Sequence, residues 1–211
     1  MNPLVIGITG GSGSGKTSFI NRLREKFTEE EICLVSQDDY YYPREQQKKD
    51  AAGIINFDRP KSINKDAFKN DIVALINGET IQRTEYTFNN EKATPKTLTF
   101  KPAPILLVEG LFVFHFGKIR SLMDLKVFLH AKENLKVIRR IKRDRIARNY
   151  PLDDVLYRYQ HHVLPAFEKY INPYIEDADV VINNNDNFEM GLKVMTGYLR
   201  HHLSKKSKLK G

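Results

Sequence analysis

"GGSGSGKT", Gly10 to Thr17, decides how the rest of the chain is read. It satisfies the pattern G-x-x-x-x-G-K-[ST] through Gly10, Gly15, Lys16 and Thr17. Its surroundings matter as much as the pattern. The apolar run "LVIGIT" (4–9) precedes it, and "KTSFINRLREKF" follows with apolar positions 19, 20, 23 and 27 at helical spacing. Strand, glycine-rich turn and helix in that order make a phosphate cradle. Glycine lets the backbone turn its N–H groups inward, and the helix N-terminus adds its dipole. Gly10, Gly11, Ser12, Gly13, Ser14, Gly15 and Ser18 are read as the cradle. Lys16 is read as reaching the β and γ phosphates, and Thr17 as placing its hydroxyl on Mg²⁺. The pattern implies a nucleoside triphosphate.

Outward from the cradle, "ICLVS" (32–36), "APILLVEG" (103–110), "LKVFLH" (125–130) and "DVVIN" (179–183) read as further strands. Helical spacing covers 62–78, with a possible cap at Ser62, and stretches around 132–149, 152–171 and 188–203. "IQRTEYTF" and "TPKTLTF" flank "NNEKA" as a two-stranded hairpin over about 80–100, an insertion at the sheet's edge. Strands alternating with helices predict an α/β fold of the P-loop NTPase type, a parallel sheet flanked by helices and joined by right-handed crossovers. Ligands then bind beyond the carboxyl ends of the strands. That rule puts "GGSGSGKT", "QDDYYYP" (37–43) and "EGLF" (109–112) on one rim. Glu109, ending its strand there, is a second expected Mg²⁺ ligand, directly or through water. One domain, 1–203, with a disordered basic tail at 204–211, is the economical division.

The composition narrows the function. The 211 residues carry a net charge of +8, which suits an anionic partner. No run is long and apolar enough for a membrane helix, and "MNPLVIGITGG" lacks the features of a signal peptide. Cys33 is the only cysteine, so no internal disulfide forms and a cytoplasmic location fits. The six histidines show no zinc-ligand spacing. A GTPase would carry N-K-x-D, whereas "NKDA" at 64–67 sets its aspartate one position early. "NLKVIRRIKRDRIARNYP" has apolar positions 135, 137, 138, 141 and 146, and at about 100° per residue Arg139, Arg140 and Arg143 share one sector. Such a face can close over a triphosphate, stand solvated beside Asp144, or bind nucleic acid. Aromatics do not interleave with the arginines before Tyr150, and no nucleic-acid module is recognisable, which argues against the last.

The cradle, "SQDDYYYP", "NFDRP", "EYTF", "LLVEGLFVF", "RRIKRDRIAR" and "LPAFEKYINP" occur in an order and spacing that resembles the uridine kinases (uridine–cytidine kinases) of the phosphoribulokinase/uridine kinase group. The resemblance runs from about Val5 to Asn183. It implies transfer of the ATP γ-phosphoryl to the 5′-hydroxyl of uridine or cytidine with Mg²⁺, a step of pyrimidine salvage. It also implies a homotetramer inhibited by pyrimidine triphosphates, while the residues themselves, as above, lead us to expect no nucleic acid or membrane as partner. By the same resemblance Asp38 is the catalytic aspartate, and Lys16 and Arg143 serve catalysis at the phosphates. Asp58 grips the ribose, while Tyr41, Phe57, Tyr86 and Phe88 line the nucleoside pocket. Arg140 stands at the nucleoside side, and Arg143 and Arg148 are lid arginines, within a lid region of about 139–165. The hairpin becomes a nucleoside-binding flap. The alternatives are a related kinase for a sugar phosphate or pantothenate, or a non-enzymatic nucleotide- or RNA-binding protein.

The chain departs from the family pattern at four places. Glu91 stands near a usual histidine, Tyr150 replaces a lid arginine, Arg158 stands where a base-reading glutamine is usual, and Arg59 turns "NFDHP" into "NFDRP". Most of these lie toward the base, so altered or relaxed base selectivity is expected.

Overall fold

β1 (Leu4–Thr9) is buried along its whole length, as a strand must be when both faces of its sheet are covered. In this computed structural model, which describes residues 2–87, 94–146 and 149–208, β1 is the centre of a five-stranded sheet. The other strands are β2 (Ile32–Ser36), β5 (Ile105–Glu109), β6 (Leu125–His130) and β7 (Val180–Asn183), in the order β2-β5-β1-β6-β7. Every pairing is parallel. Alternate residues along each strand face opposite ways, so the sheet feeds two cores. Val5, Val35, Leu106, Val108 and Phe128 meet Phe68, Ile72 and Leu75 of α2 (Lys65–Ile76) on one side. Ile6, Ile8, Leu107, Val127 and Leu129 meet Phe19 and Leu23 of α1 (Lys16–Arg24), and Met195 and Leu199 of α7 (Glu189–Lys208), on the other. Cys33 is buried in the first core, where burial pushes its thiol up to about 11.

The register positions the site. Glu109 pairs with Ser36 on one side and Ile8 on the other, so β1, β2 and β5 end at one level. At the sheet's centre β1 has β5 on one flank and β6 on the other, the reversal of strand order that opens a crevice.

Several boundaries differ from the sequence reading. α2 is capped by Asn64, whose side chain accepts from the Ala67 amide; Ser62 instead ends a 3-10 turn (Pro60–Ser62). The hairpin strands, β3 (Ile81–Thr84) and β4 (Thr97–Phe100), form a separate two-stranded sheet. The expected turn "NNEKA", with Phe88 and Glu91, lies outside the described residues. A short α3 (Gly117–Arg120) precedes β6, and α4 covers Glu133–Ile146. The expected single helix over 152–171 divides into α5 (Leu152–Arg158), a π turn at Tyr159–Val163 and α6 (Leu164–Tyr170). Pro165 has no N–H to give the carbonyl one turn earlier, so the ladder widens there. α7 continues to Lys208, past the expected boundary at 203, because no proline or glycine breaks the run after Gly197.

Candidate active site

The cradle is built where β1 ends. Gly15 caps α1 with φ 97° and Gly13 has φ 84°, both in the left-handed region that favours glycine. A Cβ on Gly13 would lie 2.4 Å from the Lys136 carbonyl oxygen, so α4 packs directly on the loop. From the other flank, Asn184 beyond β7 donates to the Ser14 carbonyl over 2.8 Å. Two elements thus clamp the loop in shape.

A cavity of about 910 Å³ opens over it. Gly11, Ser12, Gly13, Gly15, Lys16, Thr17 and Ser18 line one part, while Gly10 and Ser14 form the loop's buried back. Asp38, Tyr41, Phe57, Asp58, Tyr86, Glu109, Arg140 and Arg143 line the same cavity. Arg148 and Phe88 lie outside the described residues, and the other sequence-predicted site residues are brought together. Of the four departures, Tyr150 and Arg158 line the cavity, Arg59 does not, and Glu91 is outside the described residues.

The stretch after β2 becomes a 3-10 turn (Gln37–Tyr40) in which neighbouring residues divide their tasks. The Ser36 hydroxyl accepts from the Asp38 amide over 3.2 Å and donates to Glu109 over 2.5 Å. One serine therefore ties the backbone that carries Asp38 to the Glu109 carboxylate. Asp39 instead accepts from the Tyr86 amide at 3.5 Å, joining the turn to the hairpin's base. Burial pushes its carboxyl above the ordinary value. Tyr40 is a core residue with its hydroxyl on Asp71 (2.9 Å) and Arg83 over its ring. Tyr41 faces Phe57 edge-on with ring centroids 5.9 Å apart, and Tyr86 at 5.4 Å. Such an aromatic corner suits a flat ring. Burial drives the Tyr41 hydroxyl well above a phenol's usual range, and the Asp38 and Asp58 carboxylates add to it.

α4 brings the expected arginine sector to the cavity, with Arg139, Arg140 and Arg143 all lining it. Its buried positions are Lys136, Arg140 and Asp144, one turn apart, while Ile138 and Ile146 are exposed. The inward face meets an anion cradle and not the apolar core, which is why it is charged. Arg140, 9 % exposed, donates to the Ser12 hydroxyl over 2.8 Å, placing it against the cradle as well as near Tyr41. Asp144, 2 % exposed, pairs with Arg140 Nε (3.2 Å) and Arg143 Nε (2.9 Å). Arg139 reaches the Asn184 carbonyl at 3.0 Å.

One group of residues gave no sequence signal. His162, 2 % exposed, meets Asp50 over 2.7 Å, and the Tyr157 hydroxyl donates to the same carboxylate over 3.0 Å. Arg158 donates to the Ile55 carbonyl at 3.0 Å. Together they fasten the segment leading to Phe57 and Asp58 onto α5 and the π turn. Burial pushes the Asp50 carboxyl up, but the bonds from His162, the Ile54 amide, Tyr157 and the Ala52 amide outweigh it and hold the group at about 2. The partners are 107 and 112 positions apart in the chain, so no local pattern could announce them.

A parallel sheet whose central strand runs into a clamped, glycine-rich anion cradle defines a P-loop nucleotide-binding protein. More narrowly, the chain belongs to the phosphoribulokinase/uridine kinase family, whose model matches residues 5–189. It is similar to the uridine kinase of Borrelia duttonii (strain Ly), 31% identical over 204 residues, covering 97% of this chain and 98% of that one. Its fold is similar to that of a possible uridine kinase from Bacillus stearothermophilus, with a TM-score of 0.61, 20% identity, and 86% and 89% of the two chains covered. It is likewise similar to phosphoribulokinase from Rhodobacter spheroides, with a TM-score of 0.60, 21% identity, and 86% and 70% covered. The chain is a kinase, a phosphotransferase of this family. Among the described residues, no helix is long and apolar enough to cross a membrane.

Proposed function

We propose that this kinase transfers the γ-phosphoryl of ATP to the 5′-hydroxyl of a pyrimidine nucleoside, uridine or cytidine, as a step of pyrimidine salvage in the cytoplasm. The supporting observation is the single cavity: a phosphate cradle and an aromatic corner with two carboxylates open into the same space, and Asp38 lines it with Lys16. Asp38 orients the acceptor hydroxyl and takes its proton, while Asp58 binds the ribose hydroxyls. Tyr41, Phe57 and Tyr86, with Phe88, receive the base. Lys16, Arg140, Arg143 and Arg148 hold the phosphates and meet the charge that spreads over the transferring group.

Thr17 and Glu109 offer hard oxygen donors in the same cavity as Lys16, a set that fits Mg²⁺. Bound there, the ion would neutralise phosphate charge. Arg158 and Tyr150, both lining the cavity, support altered or relaxed base selectivity. A homo-oligomer is supported by an uncovered apolar stripe on α7, Met190, Val194 and Tyr198.

The test is phosphorylation of a nucleoside panel together with thermal stabilisation by each nucleoside alone. Uridine or cytidine should raise the melting temperature without ATP. If no nucleoside stabilises the protein or accepts phosphate, the reading fails. Strict uridine/cytidine preference at ordinary efficiency would remove only the selectivity proposal.

A further inference from the structure

We propose that the protein has a second anion site, distinct from the catalytic cavity, that takes a small phosphorylated metabolite bearing several negative charges. The site is a cavity of about 550 Å³ between the Pro60–Ser62 turn, the first half of α2 and the start of α3. It shares no lining residue with the catalytic cavity. Tyr41 faces the catalytic cavity and the next residue, Tyr42, faces this one, as successive residues of extended backbone do.

Four lysines line it from three elements: Lys61 from the turn, Lys65 and Lys69 from α2, and Lys118 from α3. Asp66 is the one carboxylate among the lining residues. Among the described residues, no hydrogen bond or ion pair engages the side-chain ammonium of any of the four lysines; their bonds, such as the Lys65 amide to the Ile63 carbonyl, are made by the backbone. Elsewhere the fold does pair its cations, as in Arg83 with Asp71 and Lys126 with Asp179.

The arrangement runs against local preference twice. Lys65 is the first residue of α2, where the helix dipole disfavours a cation. Lys69 repeats the same sign one turn on, a like-charge spacing that destabilises a helix. Asp66, in the same first turn and one turn before Lys69, offsets part of this; departures from local preference mark sites of function, and a polyvalent anion would offset the remainder. Concave placement concentrates the field of the four charges, and lysines bind phosphate as mobile point charges. The volume falls in the range of small-molecule sites. Tyr42 and Phe116, both half-buried among the lining residues, leave apolar surface for the carbon portion of the ligand.

This wall is also tied to the catalytic cavity. The Tyr42 amide donates to the Ser62 carbonyl over 3.0 Å, the Asn64 amide to the Tyr40 carbonyl over 2.8 Å, and Tyr41 bridges to Ile63. One short ladder therefore carries Tyr41 on one side and the lysine cavity on the other.

The test is isothermal titration with sodium tripolyphosphate, in metal-free buffer at low salt. The wild-type protein should show two sites. Lys16→Ala should lose the one at the cradle. Lys65→Gln/Lys69→Gln should weaken the other by about tenfold or more, and Lys61→Gln/Lys118→Gln, which alters two other elements, should do the same. Thermal melts show which variants are folded; because Lys61, Lys65 and Lys118 are exposed and Lys69 half-exposed, both pairs should be. A single wild-type site abolished by Lys16→Ala overturns the proposal, as do two sites that survive both lysine pairs. Binding of a short RNA to the Lys16→Ala protein with affinity that grows with RNA length overturns it too, since that is the behaviour of an extended basic surface and not of a cavity. The outcome does not depend on which acceptor the kinase uses.

Discussion

Arg140 joins the charged helix to the phosphate cradle through one hydrogen bond, 2.8 Å long, from its guanidinium to the hydroxyl of Ser12, a residue 128 positions earlier. On its other side the same guanidinium faces Asp144. Arg140→Ala removes both contacts. The expected result is a fall in kcat of about a hundredfold, the scale for losing a preorganised charge at a transferring phosphoryl, with a raised KM for ATP. Lysine should not rescue it, because only the planar fork reaches two partners at once. Steady-state kinetics of the two variants checks this.

Asp144→Ala tests the same cluster through stability. It leaves Arg140 buried beside the cradle with its charge uncompensated, which costs about 3 kcal/mol. Urea unfolding should show a lower midpoint with an unchanged slope.

Asp38→Asn should lower turnover by about a thousandfold while ATP binding, read by titration, stays near wild type. Ser36→Ala should be milder, about tenfold in kcat, since it unties Asp38 and Glu109 without removing either. Near-wild-type turnover in Asp38→Asn would show that another group takes the proton.

The Asp50–His162–Tyr157 cluster predicts a pH signature. Asp50 is held at about 2, below its ordinary 3.8. A depressed carboxylate contributes stability that is complete above the ordinary value and is lost as pH falls from there toward the folded value. Thermal melts between pH 5 and pH 2, values chosen to bracket that window, should therefore fall more steeply for wild type than for Asp50→Asn. At neutral pH, His162→Gln should raise the nucleoside KM several-fold and leave the ATP KM unchanged, because the segment it fastens carries Phe57 and Asp58 and not the cradle.

Arg158→Gln replaces a guanidinium in the cavity with a neutral amide. The ratio of kcat/KM between pyrimidine nucleosides should move by about tenfold, the scale of one polar contact to a base edge. An unchanged ratio would place the selectivity elsewhere.

What the chain disclosed about itself follows from how far each signal reaches. The cradle was legible because glycine, lysine and threonine sit within one turn of each other, and the sheet because five short apolar runs alternate with helical spacing. The difference between Asp38 and Asp39 came through resemblance, and the fold gives them separate neighbours. The arginine sector of α4 was legible as a face and its three arginines do line the cavity, but the burial of Lys136 and Asp144 beside Arg140 was not, since periodicity assumes an apolar interior and this helix packs on an anion site. The cap of α2 shifted from Ser62 to Asn64 because both residue types cap and only the path of the chain decides. Ser36 and the Asp50 cluster act through partners far along the chain, which no window of sequence contains.

Cys33 has a practical consequence. Its thiol is buried, and at about 11 it is almost wholly protonated at neutral pH, so it is a poor nucleophile toward maleimides and other thiol reagents. The native chain is accordingly a blank background for site-directed labelling. A cysteine placed at exposed Leu156 on α5 or Met190 on α7 would be the sole reactive handle, and a dye there would test whether the arginine-bearing region moves or copies of the chain associate, without any prior cysteine removal.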